Sequence, residues 1–134
     1  MNLSLSLTNN MSLTGSGNSL GPELLTIPYG GTVTGSWLIT GTNVTRNGST
    51  GGDAQLNGTA GEAGKTYRVA FDVADFSGDS LTFNYAGSNV GQISANGSYV
   101  FPAHSGAGGA PIFVPWAGTA GQATITNISV KQVL

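Results

Sequence analysis

From Thr66 to Val73 the chain alternates without a break. Tyr67, Val69, Phe71 and Val73 are apolar, and Thr66, Arg68, Ala70 and Asp72 fall between them. A period of two puts every apolar side chain on one face of an extended strand and turns the other face outward. A helix needs apolar positions three and four residues apart, and no window offers that over three turns. Leu81, Phe83 and Tyr85 alternate in the same way with Thr82 and Asn84. Residues 98–101, 112–114, 123–126 and 128–130 are further short strand candidates, and Trp37-Leu38-Ile39 is strand-like. Between these runs stand Asn47-Gly48, Asn57-Gly58 and Asn96-Gly97, dipeptides suited to turns with positive φ. Ser77-Gly78-Asp79 and Gly108-Gly109 serve similarly. Short strands with Gly- and Asn-rich connections predict an all-β antiparallel sandwich or barrel whose apolar faces meet in one core.

Composition narrows the partners. Only 7% of the 134 residues are charged, and four basic residues with a net charge of −2 cannot build a surface that tracks nucleic-acid phosphates. No run of about 18 apolar residues exists to span a membrane as a helix. The N-terminus has neither a basic n-region nor a continuous apolar h-region, so no signal peptide is expected. With no cysteine, disulfides and thiolate metal sites are excluded. Seven Asn-x-Ser/Thr sequons occur, which a chain this rich in Asn, Ser and Thr produces by composition.

The first twenty residues are read separately. Leu3, Leu5 and Leu7 alternate with Ser4, Ser6 and Thr8, and Met11 and Leu13 continue the pattern. Either this is one more edge strand, or it is an assembly arm that adds to a neighbouring sheet through its main chain. Residues 1–20 are therefore assigned as a strand or arm for assembly, and residues 21–134 as the sandwich.

From Gly21 onward, Gly21-Pro22-Glu23-Leu24-Leu25 is followed by Trp37 and then by a Gly-x-Ala strand at Gly52-Asp53-Ala54. In that order these segments resemble small jelly-roll domains of bacteriophage structural proteins. Residues 64–87, 94–99 and 123–133 resemble their later strands in order. Thr26-Ile27-Pro28-Tyr29-Gly30 departs from the usual segment after the opening, and Thr126 stands where an Asp is usual. The resemblance implies a jelly roll similar to carbohydrate-binding modules, located in a virion. A short chain without a shaft fits a capsid decoration or cement protein, with the major capsid protein or further copies of itself as partners. The alternative is a tail-fibre or appendage module that binds host-surface carbohydrate.

No catalytic residue, cofactor or metal is assigned. Glu23, Asp53, Glu62, Asp72, Asp75 and Asp79 read as solvated acids rather than the paired carboxylates of a glycosidase. His104-Ser105 lies in a Gly-rich stretch that does not form a nucleophile elbow. Asp72, Asp75 and Asp79 are close enough in sequence to suggest calcium but lack the spacing of a dedicated loop. For sugar contact the candidates are Tyr29, Trp37, His104 and Trp116, with the loops at Gly30-Gly31, Asn47-Gly48 and 104–109 as the expected surface. Trp37 and Trp116 are both expected in the core, with sugar stacking as their alternative role.

Overall fold

The computed structural model describes residues 19–48, 50–85, 88–104, 113–118 and 120–134. The arm residues Leu3, Leu5, Leu7, Met11 and Leu13 lie outside them. All regular structure among the described residues is strand: β1 (Leu20–Glu23), β2 (Gly31–Val33), β3 (Trp37–Thr40), β4 (Asn43–Gly48), β5 (Gly52–Leu56), β6 (Thr66–Gly78), β7 (Leu81–Tyr85), β8 (Ser88–Ile93), β9 (Gly97–His104), β10 (Phe113–Ala117) and β11 (Gly121–Val133). One sheet runs β9-β6-β11-β4-β3, with β1 added to β11, and the other runs β2-β5-β10-β7-β8. Every pairing is antiparallel. The two sheets face each other as the all-β jelly-roll sandwich expected from the alternation.

The core follows the period of two. Tyr67, Val69, Phe71 and Val73 of β6 are buried, as are Leu81, Phe83 and Tyr85 of β7. Phe71 crosses from one sheet to the other. Its ring lies 4.3 Å from Phe83, stacked, and 5.5 Å from Phe113. Phe83 and Phe113 are themselves 5.5 Å apart.

The long strands β6 and β11 form the spine of the larger sheet, and two bulges bend them. In the first, Asp75 and Phe76 stand against Ala123. In the second, Asn127 and Ile128 stand against Phe71. Asp75 and Asn127 have φ of 55° and 52°. Asp and Asn tolerate this left-handed region better than other residues with a Cβ. Residues 123–126 and 128–130, which read as two runs, are thus one bulged strand.

A bulge frees backbone groups that must find partners elsewhere. The Phe76 N–H donates to Asn96 Oδ1 at 2.8 Å. The Tyr29 hydroxyl accepts from Ile128 N–H and donates to Ile128 C=O, both at 3.0 Å. Glu23 Oε1 accepts from Val130 N–H at 2.8 Å, and Leu24 N–H donates to Val130 C=O at 2.9 Å. The Tyr29, Glu23 and Leu24 bonds fill the interval on β11 between its pairing with β4 and its pairing with β1.

The turn signals are only partly realised. Gly78, with φ of 86°, makes the β6–β7 turn where Ser77-Gly78-Asp79 was expected. Asn47-Gly48 is instead the end of β4, paired with Gln122 and Gly121, and Gly58 bridges Leu25. The β3–β4 hairpin turns at Gly41, with φ of 60°.

Tyr29→Phe keeps the ring but leaves the Ile128 N–H and C=O without their partner. We expect a loss of about 1–3 kcal/mol, the cost of an unsatisfied buried pair, measured by urea denaturation.

Candidate functional site

The outer face of the five-stranded sheet carries one large aromatic. Phe113 and Ala117 of β10 point into the core, so Trp116 between them points out, and it is 47% exposed. The expectation that Trp116 belongs to the core is therefore corrected. Its strand register decides the matter, because an apolar segment read as Ile-Phe-Val-Pro-Trp carries no alternation of its own. Trp37, by contrast, is 3% exposed and packs in the core opposite Arg46. That overturns its listing as a sugar contact and bears out its core role.

Around Trp116 the register assembles a polar row. Asp53 of β5 stands opposite Trp116 on one side and Thr82 of β7 on the other, and Gln92 of β8 stands opposite Thr82. Adjacent strands lie about 4.8 Å apart, so these four positions span roughly 14 Å. Gln55 and Asn84 extend the face beside the row, since their sequence neighbours Ala54, Leu56, Phe83 and Tyr85 are buried, and Asn89 is the cross-strand partner of Asn84.

Asp53 is held in place. Its Oδ1 accepts from the Thr34 hydroxyl at 2.7 Å and its Oδ2 from Gln55 Nε2 at 2.9 Å, and its own N–H donates to Thr34 Oγ1 at 2.9 Å. An ionised carboxylate has about four acceptor positions, so this one keeps capacity for further donors. Gln92 is likewise fixed by its Nε2 bond to Ser80 Oγ at 2.8 Å. The Trp116 ring lies beside Gly118, within van der Waals reach of where a Cβ there would stand, 3.6 Å away. The arrangement is an exposed ring flanked by fixed acceptors and amides, with no cation on the row. It suits a flat, neutral, polyhydroxylated ligand.

The remaining candidates divide as follows. Tyr29 is half-buried, and its hydroxyl is committed to Ile128, with burial raising its pKa. It is a structural residue and not a contact. His104 ends β9 with its backbone opposite Thr66, and its side chain lies outside what is described. Gly31 and Gly48 belong to strands β2 and β4, and residues 105–109 are outside the described set, so the face with the exposed ring is a sheet face and not the expected loops. Asp53, Thr82 and Gln92 were missed as neighbours of the ring. Only cross-strand register brings them to it, and sequence spacing carries no trace of that.

Asp72, Asp75 and Asp79 do not converge. Among the described residues no three His, Cys, Asp or Glu side chains gather where they could share a metal ion. Asp72 accepts from Asn127 Nδ2 at 2.7 Å, Asp75 accepts from Thr124 Oγ1 at 3.3 Å, and Asp79 offers its backbone carbonyl to Arg46.

No protein-family model and no curated protein matches this chain. Among solved structures it is similar to a family 29 carbohydrate-binding module, a point mutant of CBM29-2 complexed with mannohexaose. The two share 14% identity and a TM-score of 0.55, over 86% of this chain and 92% of that one. At this identity the likeness shows a common β-sandwich fold.

Two outcomes follow. The Asn127 and Ser98 hydrogen bonds hold the Asp72 carboxyl below its ordinary pKa. Asn127→Gly, which suits the positive φ, removes the first of them, and NMR titration should then show the Asp72 pKa rising. A depressed carboxylate pKa favours the fold above the unfolded pKa, and that favour is lost as pH falls through the folded value. Trp37→Ala should cost about 3–5 kcal/mol by urea denaturation, whereas Trp116→Ala should leave stability within about 0.5 kcal/mol.

Proposed function

We propose that this chain is a non-catalytic carbohydrate-binding module that takes a neutral polysaccharide on the outer face of the five-stranded sheet. The observation that carries the reading is Trp116, exposed in the middle of that face and flanked in register by Asp53 and Thr82. A pyranose presents an apolar face of axial C–H groups and an equatorial rim of hydroxyls. The indole takes the first, and Asp53, Thr82 and Gln92 take the second. Similarity of fold to a module solved with mannohexaose supports the choice of a hexose chain.

The bacteriophage setting rests on the sequence resemblance. Within it, this reading favours the appendage that binds host-surface glycan, because that role uses the exposed ring. The capsid-decoration role draws on the resemblance and on the alternating residues 1–20. In either setting the module sits in the virion in our reading.

The test is affinity electrophoresis and calorimetry with mannan, glucomannan and their hexasaccharides. Roughly 80 Å² of ring covered by a sugar, at about 25 cal/mol per Å², gives about 2 kcal/mol, or about thirtyfold in affinity. Trp116→Ala should lose that factor while its melting temperature is unchanged. A wild-type chain that binds none of these glycans, or a Trp116→Ala chain that binds them equally well, sinks the proposal.

A further inference from the structure

The opposite face of the sandwich holds a pair of cations. Arg68 of β6 and Lys131 of β11 are direct cross-strand partners. Tyr67, Val69 and Val130, their sequence neighbours, are buried, so both side chains leave the outer face of the six-stranded sheet together. Like charges directly opposite on neighbouring strands are destabilising. The chain has only four basic residues, and Arg46 is buried in the core, so this is a large share of its surface positive charge.

One carboxylate, that of Glu23, stands directly beside the pair, so the three groups together keep one net positive charge. All six acidic residues of the chain are among the described residues, and none of them forms an ion pair with Arg68 or Lys131 there. Glu23 stands opposite Lys131 on β1. Its oxygens are held by neutral donors: Oε1 accepts from Leu25 and Val130 N–H groups, and Oε2 accepts from the Ser129 hydroxyl at 2.7 Å, so it offsets part of the Lys131 charge without a direct ion pair.

Beside Arg68 runs a groove of about 380 Å³, lined by Leu20, Thr66, Arg68, Val100, Pro102 and Val133 among others. Pro102 is the cross-strand partner of Arg68 on its other side, and Val100 is exposed. The groove lies on a sheet face, where the strands spend their main-chain groups on one another. An extended peptide would find no ladder to join. Two cations are also too few for an anionic membrane surface or a nucleic-acid backbone. What fits is a compact anion attached to a body with an apolar face.

We propose that Arg68 and Lys131 form a second ligand site, which holds the anionic group of an acidic polysaccharide, a uronate carboxylate or a sulfate ester. The guanidinium fork receives two oxygens of the anion, the ammonium adds a point charge, and the sugar ring rests on Pro102 and Val100. The choice of a sugar rests on the carbohydrate-binding reading above. The anion cradle rests on the two cations themselves.

Affinity electrophoresis of the full chain in gels containing polygalacturonate, dextran sulfate or neutral mannan tests the site. Wild type should be retarded by polygalacturonate, by dextran sulfate or by both, and the gel that retards it identifies the anion. Retardation should weaken as ionic strength rises from about 0.02 M to about 0.5 M. The double variant Arg68→Gln/Lys131→Gln should lose about tenfold or more in affinity with an unchanged circular dichroism spectrum. Arg68→Lys, which keeps the charge but not the fork, should retain part of the binding. Trp116→Ala should still bind the acidic gel. Absence of retardation on both acidic gels, or retardation that survives in the double variant, overturns the proposal. Failure on mannan alone counts against the platform at Trp116 and leaves the anion site standing.

Discussion

The contact between Phe71 and the pair Phe83 and Phe113 holds the two sheets in their mutual register. Phe71 comes from the middle of β6, the spine of the larger sheet, and the other two come from β7 and β10 at the middle of the smaller one. Such ring pairs add roughly 0.5–1.5 kcal/mol each beyond the area they bury. Their larger effect is geometric. Once Phe113 points inward, strand alternation leaves Trp116 no inward position, and the platform on the outer face follows from the core. A one-residue slip of β10 would bury Trp116 and expose Phe113.

The same spine explains why the larger sheet is bent where it is. The bulge at Asn127 lies directly across from Phe71, and the chain closes the broken ladder with side chains instead of backbone. Tyr29 and Glu23 supply there what a regular neighbour would have supplied, and Asn96 does the same for Phe76 at the other bulge. Residues that look available for ligand chemistry in the sequence are thus already committed to the fold.

What the sequence made legible was whatever depends on local alternation. Residues 66–73 and 81–85 read as strands because one face of each is buried and the other is not. Residues 112–114 also read as strand, but the two faces of β10 could not be told apart because residues 112–115 are all apolar, and a proline such as Pro115 is unusual in a central strand. The structure accommodates that proline at a gap: β10 pairs with β5 at Phe113, Trp116 and Ala117, and Pro115 pairs only with Phe83 of β7. Asn47-Gly48 misled for a related reason. A dipeptide states what a turn would tolerate, while the ladder to Gly121 and Gln122 decides that the strand continues. The site was the least legible part, since Asp53, Thr82, Gln92 and Trp116 come from four strands and meet only through register.

The sparse charge of this chain gives its few ions unusual weight. On a surface rich in Lys and Glu, one Arg beside one Lys would be unremarked, because mixed neighbours would screen them. Here 7% of residues are charged, and the acids are tied down individually: Asp53 by Thr34 and Gln55, Asp72 by Asn127, Glu23 by three donors. The outer faces consequently differ in kind. The Trp116 face offers area and fixed hydrogen-bond partners, and its attraction falls off within contact distance. The Arg68–Lys131 face offers a net positive charge, partly offset by Glu23, that reaches outward for about a Debye length, roughly 8 Å at physiological salt. Two such faces on opposite sides of a rigid sandwich do not compete for one ligand unit. If both proposed sites hold, they would engage separate strands of a polymer matrix, where linked contacts raise the effective concentration of each other.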